Sequence, residues 1–250
     1  MKLSASIMAH PDRSAEVDRL RRALGLSHGV TPVAWDDEGP PSGNGDRVWR
    51  TARKGWELAD PEADWHALIQ DDAVPCADLL AGLERALAYV PPDAVVSPYL
   101  GTGRNVPIRW EAMARAAETK GAPWVRSLKL MWGVTIVLPV KLIPEMLAYA
   151  DRRAGVPDDM RVAGWAERTK REVWYTWPSL VDHRPVPSLT KHKAHDRVAR
   201  RHHEGSALEI NWTGHAVTDP MLSRRYPSRS GPSRVRSRQR LLAEEGRNGA

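Results

Sequence analysis

Asp71 and Asp72 stand side by side at the end of Trp65-His66-Ala67-Leu68-Ile69-Gln70, a short apolar run that stops abruptly in charge. A run of that length, bounded by charge, reads as a buried strand, and the end of such a strand is where an α/β sheet places its ligands. Adjacent carboxylates repel one another and are costly to desolvate without a positive partner. A divalent cation carrying a phosphate is the simplest such partner, because hard cations take oxygen ligands. The plain alternative is a strand followed by a solvated acidic turn that caps the next helix.

Several elements must position that pair. Leu3 to Ala9 reads as a first strand ending at His10, and Thr31 to Trp35 as a second ending at Asp36-Asp37. Between them Ala15 to Leu24 has helical spacing, with Val17, Leu20, Ala23 and Leu24 on one side and Arg19, Arg21 and Arg22 on the other. Trp65 to Ile69 is the third strand. The breaker-rich stretch Asp36 to Gly45 leads into a helix near Asp46, where free backbone N–H groups and the charge of Arg47 favour a phosphate. Further on, the pattern predicts helices over Ala77 to Tyr89, Ile108 to Thr119, Val140 to Asp151 and Met160 to Lys170. It predicts strands over Ala94 to Ser97, Trp124 to Leu130, Gly133 to Leu138 and Val173 to Trp177. Alternation of this kind implies an α/β fold, a mostly parallel central sheet with helices on both faces. The ends of the first three strands then share one edge.

Composition narrows the class. A chain of 250 residues can hold one large α/β domain, and no apolar run approaches the ~20 residues that span a bilayer. The serine-interrupted start from Met1 to Ala9 reads as a strand rather than a signal peptide. Cys76 is the single cysteine, which excludes an internal disulfide, fits a cytoplasmic setting and suits a small apolar filler. Eleven Trp and no Phe suggest a base-composition bias of the genome more than a mechanism. The net charge of +6 is concentrated late in the chain. Residues 1–190 therefore read as the folded domain, 191–222 as a basic His/Arg-rich extension, and 223–250 as a disordered basic tail. Within the extension His192, His195, His202 and His203 lack Cys partners and sit among cations, so a solvated basic helix is expected rather than a zinc site.

The order of these motifs resembles a glycosyltransferase of the GT-A fold, most similar to small bacterial and phage-encoded enzymes of the family-25 and family-2 types. Gln70-Asp71-Asp72 stands where that family carries Asp-x-Asp or Glu-Asp-Asp, and Gly43-Asn44-Gly45-Asp46-Arg47 is the helix start before it. Met131-Trp132-Gly133-Val134-Thr135 resembles the glycine-containing strand beside the donor sugar. Pro178-Ser179-Leu180-Val181-Asp182-His183 resembles the segment that ends the domain. The likeness covers roughly residues 1–183, and Gln70 departs from it where an acid would stand.

The resemblance implies a nucleotide-sugar donor, an acceptor that is a protein, a glycan or modified DNA, and Mn²⁺ or Mg²⁺ as cofactor. Asp72 and His183 would hold the metal, since imidazole suits Mn²⁺ better than Mg²⁺. His10, Asp36, Arg47, Gln70, Asp71 and Gly133 would line the donor. Tyr99 to Arg104, a second Gly-rich loop, would face the acceptor. Asp158 and Asp159 open a helix, and Asp159 is the favoured general base for inverting transfer. The helix dipole is expected to lower their pKa. Trp132 reads as core, and nothing in the pattern specifies an oligomeric state. Two other readings use the same residues: a metal-dependent nucleotidyltransferase or nuclease with Asp158-Asp159 as its second acid pair, and a nucleic-acid-binding protein acting through the basic C-terminal region.

Overall fold

The computed structural model describes residues 1–28, 31–37, 45–103, 106–184 and 197–225, with backbone alone over 25–28 and 223–225. The elements run β1 (Leu3–Ala9), α1 (Ser14–His28), β2 (Val33–Trp35), α2 (Gly45–Glu57), β3 (Trp65–Gln70), β4 (Ala73–Pro75), α3 (Leu79–Leu87) and β5 (Val95–Ser97). They continue with α4 (Ile108–Lys120), β6 (Trp124–Ser127), β7 (Thr135–Pro139), α5 (Ile143–Ala150), α6 (Asp158–Arg168), β8 (Val173–Thr176), β9 (Val181–His183), β10 (Ala216–Thr218) and α7 (Pro220–Arg225). Short 3-10 turns cover Pro11–Arg13, Val140–Leu142 and Ala207–Glu209.

Eight strands form one sheet in the order β10-β6-β8-β5-β7-β3-β1-β2, and β4 pairs with β9 apart from it. β1 is parallel to β2 and β3, β5 to β8 and β10 to β6, while β7 runs antiparallel between β3 and β5 and β6 antiparallel to β8. This is the expected α/β class, with more antiparallel character in the second half than simple alternation implies. The crossovers β1-α1-β2 and β2-α2-β3 run in opposite directions along the sheet. Right-handed crossovers therefore put α1 and α2 on opposite faces. α1 packs with α3 and α2 with α6, consistent with one layer on each side.

β3, flanked by β7 and β1 inside the sheet, buries Trp65, Ala67, Leu68 and Ile69. His66 is buried with them. Its Nδ1 meets the Ser4 hydroxyl at 2.8 Å and its Nε2 the Ser6 hydroxyl at 2.9 Å, so the ring joins β1 to β3. Burial pushes this imidazole down to about 4, and it remains neutral near pH 7. On the other half of the sheet Trp132 packs edge-on against Trp110, Tyr99 and Tyr175, with centroids 5.5, 6.1 and 5.9 Å away, which makes it core as expected. Cys76 is buried and its thiol is pushed up to about 12, the behaviour of an inert filler.

Three departures from the sequence pattern are structural. The strand expected over Trp124 to Leu130 ends at Ser127, and that over Gly133 to Leu138 begins at Thr135, which leaves Met131 to Val134 as a loop at the sheet edge. β4, β9 and β10 were not anticipated. The described part of the basic extension is not a solvated helix: residues 197–206 run mostly extended across the body. There Thr102 donates its N–H to the Val198 carbonyl at 2.9 Å and Arg200 its N–H to that of Leu100 at 2.9 Å. Ser179 and His203 exchange N–H bonds with the same strap through Arg201 and Ser179 carbonyls, both at 2.9 Å. Beyond it Ala207 and Trp212 are buried and β10 joins the sheet. His192, His195 and residues 226–250 lie outside the described residues. No helix among the described residues is long and apolar enough to cross a membrane.

Candidate active site

Parallel register brings the strand ends together. Met8 pairs with Gln70 and Ala9 with Trp35, so His10, Asp36 and Asp71 emerge side by side. The Asp36 N–H bonds the Ala9 carbonyl at 2.8 Å, and the His10 N–H donates to Asp71 Oδ2 at 3.0 Å. β7 is antiparallel to β3, so its beginning lies at the same edge as the end of β3. Gln70 donates its N–H to the Val134 carbonyl at 3.0 Å, and this places Gly133 beside Gln70. The small β4–β9 ladder does the rest. Ala73 faces His183, and the Arg184 N–H donates to the Asp72 carbonyl at 2.9 Å. His183 Nε2 thereby comes to 3.4 Å from Asp72 Oδ2.

The positive partner that two buried acids require is an arginine of this chain. Arg13, from the turn before α1, places Nη1 2.7 Å from Asp71 Oδ1 and 2.7 Å from Asp72 Oδ2. Sequence reasoning filled that place with a metal and passed over Arg13, which closes the short 3-10 turn Pro11–Arg13 and carries no motif. The acids respond unequally. Burial pushes the Asp71 carboxyl up, and this outweighs the pull of Arg13. Burial also acts on Asp72, but His183 and Arg13 together hold its carboxyl below the usual range. Two buried atoms here have no hydrogen-bond partner among the described residues: Asp72 Oδ1 and His10 Nε2. Unsatisfied buried polar atoms are uncommon and call for an explanation.

A second acid pair adjoins the first. Asp158 and Asp159 are the first two residues of α6, after Pro157. A Cβ added to Gly133 would lie 2.7 Å from Asp159 Cβ and 3.5 Å from Gln70 Nε2, so the glycine lets the start of α6 close onto the end of β3. Burial pushes Asp158 up to about 7, and the charge of Asp159 adds to it, against a hydrogen bond from Gln70. Burial raises Asp159 as well, offset by the Met160 N–H and by Arg197 of the strap. The expected lowering by the helix dipole is therefore reversed: desolvation exceeds it.

Some expected donor contacts are placed differently. Arg47 is buried, and its Nε donates to Asp36 Oδ2 at 2.8 Å. It is tied to the end of β2 and is not a solvated helix arginine. The first residue of α2 is packed against backbone: a Cβ on Gly45 would lie 2.8 Å from the Gly155 carbonyl oxygen and 2.9 Å from Pro157 N. Asp46 accepts from the Gly155 N–H at 2.8 Å and pairs with Arg161. The helix start thus clamps the turn that leads to Asp158 and does not simply open toward an anion. Ser42 to Asn44, Arg104 and Asn105 lie outside the described residues.

Asp72 Oδ1 and the His183 imidazole form a two-donor set of the kind a divalent cation can use with the oxygens of a bound phosphate. Among the described residues no group of three or more His, Cys, Asp or Glu is placed to hold a metal without such help. The basic residues of the strap are largely committed: Arg200 pairs with Glu111, and Arg201 with Glu118. These pairs border a cavity of about 340 Å³ with Thr102, Arg115 and Trp177, and none of Asp71, Asp72, Asp158 and Asp159 lines it.

No family model and no curated protein matches the chain. Among solved structures it is similar to the catalytic domain of Drosophila β1,4-galactosyltransferase 7 in complex with xylobiose, at 13% identity and a TM-score of 0.47, covering 78% of this chain and 75% of that one. It is also similar to a point mutant of that enzyme in complex with manganese, UDP-Gal and xylobiose, at 14% identity and a TM-score of 0.41, covering 94% and 82%. Likeness this distant assigns neither residue roles nor chemistry.

Proposed function

We propose that the chain is a glycosyltransferase of the GT-A type that moves a sugar from a nucleoside-diphosphate donor to an acceptor hydroxyl with inversion. The observation that carries this reading is Asp72: a buried carboxylate just past the end of β3, beside an imidazole, with one oxygen that has no hydrogen-bond partner among the described residues. It lies at the sheet edge where the strand ends converge, the place where open α/β sheets bind ligands.

His10 and Asp36, at neighbouring strand ends, are positioned for the nucleoside, Asp36 accepting from ribose hydroxyls or a base N–H. Asp72 and His183 would hold Mn²⁺ or Mg²⁺ together with diphosphate oxygens. A divalent cation bound there would supply Lewis-acid stabilisation of the charge that grows on the β-phosphate. Asp159 takes the acceptor proton as the acceptor oxygen bonds to C1 and the C1–O bond to the diphosphate breaks. Its raised pKa makes it a stronger base than an ordinary carboxylate, at the cost of ionising later. Asp158, pushed up to about 7 by burial and by the charge of Asp159, keeps a proton beside it below that pH. Gln70 supplies an amide where an acid would add a further negative charge.

A thermal-shift screen of UDP-, GDP-, TDP- and CDP-sugars with and without Mn²⁺ tests the reading. At least one donor should stabilise the chain more with Mn²⁺ than without, and Asp72→Ala should abolish that increment. An increment unchanged in Asp72→Ala removes Asp72 from the site. An NMR time course showing the donor anomer retained in product would refute inversion.

A further inference from the structure

We propose that Arg13 competes with a divalent cation for Asp72, so that the chain holds its own counter-ion in the acid pair and binds metal alone only weakly. The inference rests on the reading of Asp72 and His183 as the metal-holding pair and concerns a residue that reading does not use. One nitrogen, Arg13 Nη1, lies 2.7 Å from an oxygen of each acid, the bridging position between two carboxylates that a cation would otherwise take. All three side chains are shielded, with 12%, 10% and 12% of their surface exposed for Arg13, Asp71 and Asp72, so water screens their interaction little.

The backbone fixes this geometry from both sides. His10 donates its N–H to Asp71 Oδ2, and the Arg13 N–H bonds the His10 carbonyl at 2.9 Å, so the turn that carries Arg13 is fastened to the end of the strand it serves. The guanidinium cannot be deprotonated at any relevant pH, and its charge cannot be titrated away to admit a metal. A cation approaching Asp72 Oδ1 must therefore share a carboxylate already paired and sit within a few ångströms of a fixed positive charge. Two carboxylates and one guanidinium leave a net charge of −1 in the cluster, less than most metal cages built from acids. The oxygens of a diphosphate would restore the deficit.

Mn²⁺ titration of the full chain at pH 7, followed by the electron paramagnetic resonance signal of the free ion, reads the competition without any turnover. Mn²⁺ should bind Arg13→Met at least tenfold more tightly than the wild type. Because Arg13→Met leaves two buried acids unpaired, the double variant Arg13→Met/Asp71→Asn is measured against Asp71→Asn as a folded control, and the same gain is expected. Equal or weaker Mn²⁺ affinity on removal of Arg13 in both comparisons, with binding still dependent on Asp72, overturns the competition alone. A gain that survives a further Asp72→Ala change puts the ion elsewhere and overturns the metal-holding reading along with it.

Discussion

A carboxyl that keeps its proton up to about pH 7 costs the fold little in acid and progressively more as the medium becomes neutral. Asp158 is such a group: burial, then the neighbouring Asp159 charge, raises it from 3.8 to about 7. In the unfolded chain it ionises near its ordinary value. Between about pH 4 and 7 the folded state thus holds the extra proton, and stability falls with rising pH across that window and is flat above it. Asp158→Asn lacks this slope. Urea unfolding should show the variant level with wild type near pH 4 and more stable at pH 8, by on the order of a few kcal/mol. Below about pH 7 Asp158 is uncharged, so the same change removes no charge beside Asp159, and the acidic limb of any turnover profile should stay where the ionisation of Asp159 sets it. A variant no more stable at pH 8 would show that Asp158 is solvated in the folded chain. None of this was legible in the pattern, because a helix N-terminus alone argues for a lowered pKa, and the burial that reverses it comes from a strand end nearly 90 residues earlier in the chain.

At the scale of elements, the site depends on α6 being held against β3 by two glycines. Gly133 admits Asp159, and Gly45 admits the backbone of Gly155 to Pro157. In Gly133→Ala the new methyl would sit 2.7 Å from the Asp159 Cβ, and in Gly45→Ala 2.8–2.9 Å from main-chain atoms. Main-chain atoms cannot rotate aside, so α2 or the turn must shift. Each change should cost about 1–3 kcal/mol in denaturant unfolding. Donor turnover should fall more in Gly133→Ala, where the contact is a functional side chain, and that ranking is checked by comparing kcat of the two variants at saturating donor. The sequence pattern placed β1, β3 and α2 to within a residue or two, because their apolar spacing is long enough to be periodic. It missed β4 and β9, three residues each, whose only reason to be strands is one another across roughly 100 residues. His183 was reached by family likeness, and the ladder that carries it to Asp72 could not be seen from local pattern.

The whole molecule closes late in the chain. Composition divides it near residue 190, since charge rises and apolar residues thin out beyond that point, yet the described residues after 197 are part of the body. Ala207 lies where a Cβ on Gly82 of α3 would come within 2.2 Å, Trp124 Nε1 donates to the Trp212 carbonyl at 3.3 Å, and Asp219, almost fully buried, accepts from the Ser127 hydroxyl at 2.7 Å. The strap also fastens to Asp182, next to His183, through the Ala199 N–H at 2.6 Å. Loss of these contacts exposes Trp124, Trp174 and the edge of β6 that β10 covers, an unpaired edge beside large apolar surface. A chain ending after residue 190 should therefore be recovered as aggregate or as a species without a cooperative thermal transition. A chain ending after residue 225 retains every contact described and should melt within about 2 °C of the full length. Side-by-side scanning calorimetry distinguishes the outcomes. A cooperative transition in the shorter chain at the full-length temperature would mean that residues 197–225 are an appendage, and that the strap does not hold His183 against Asp72.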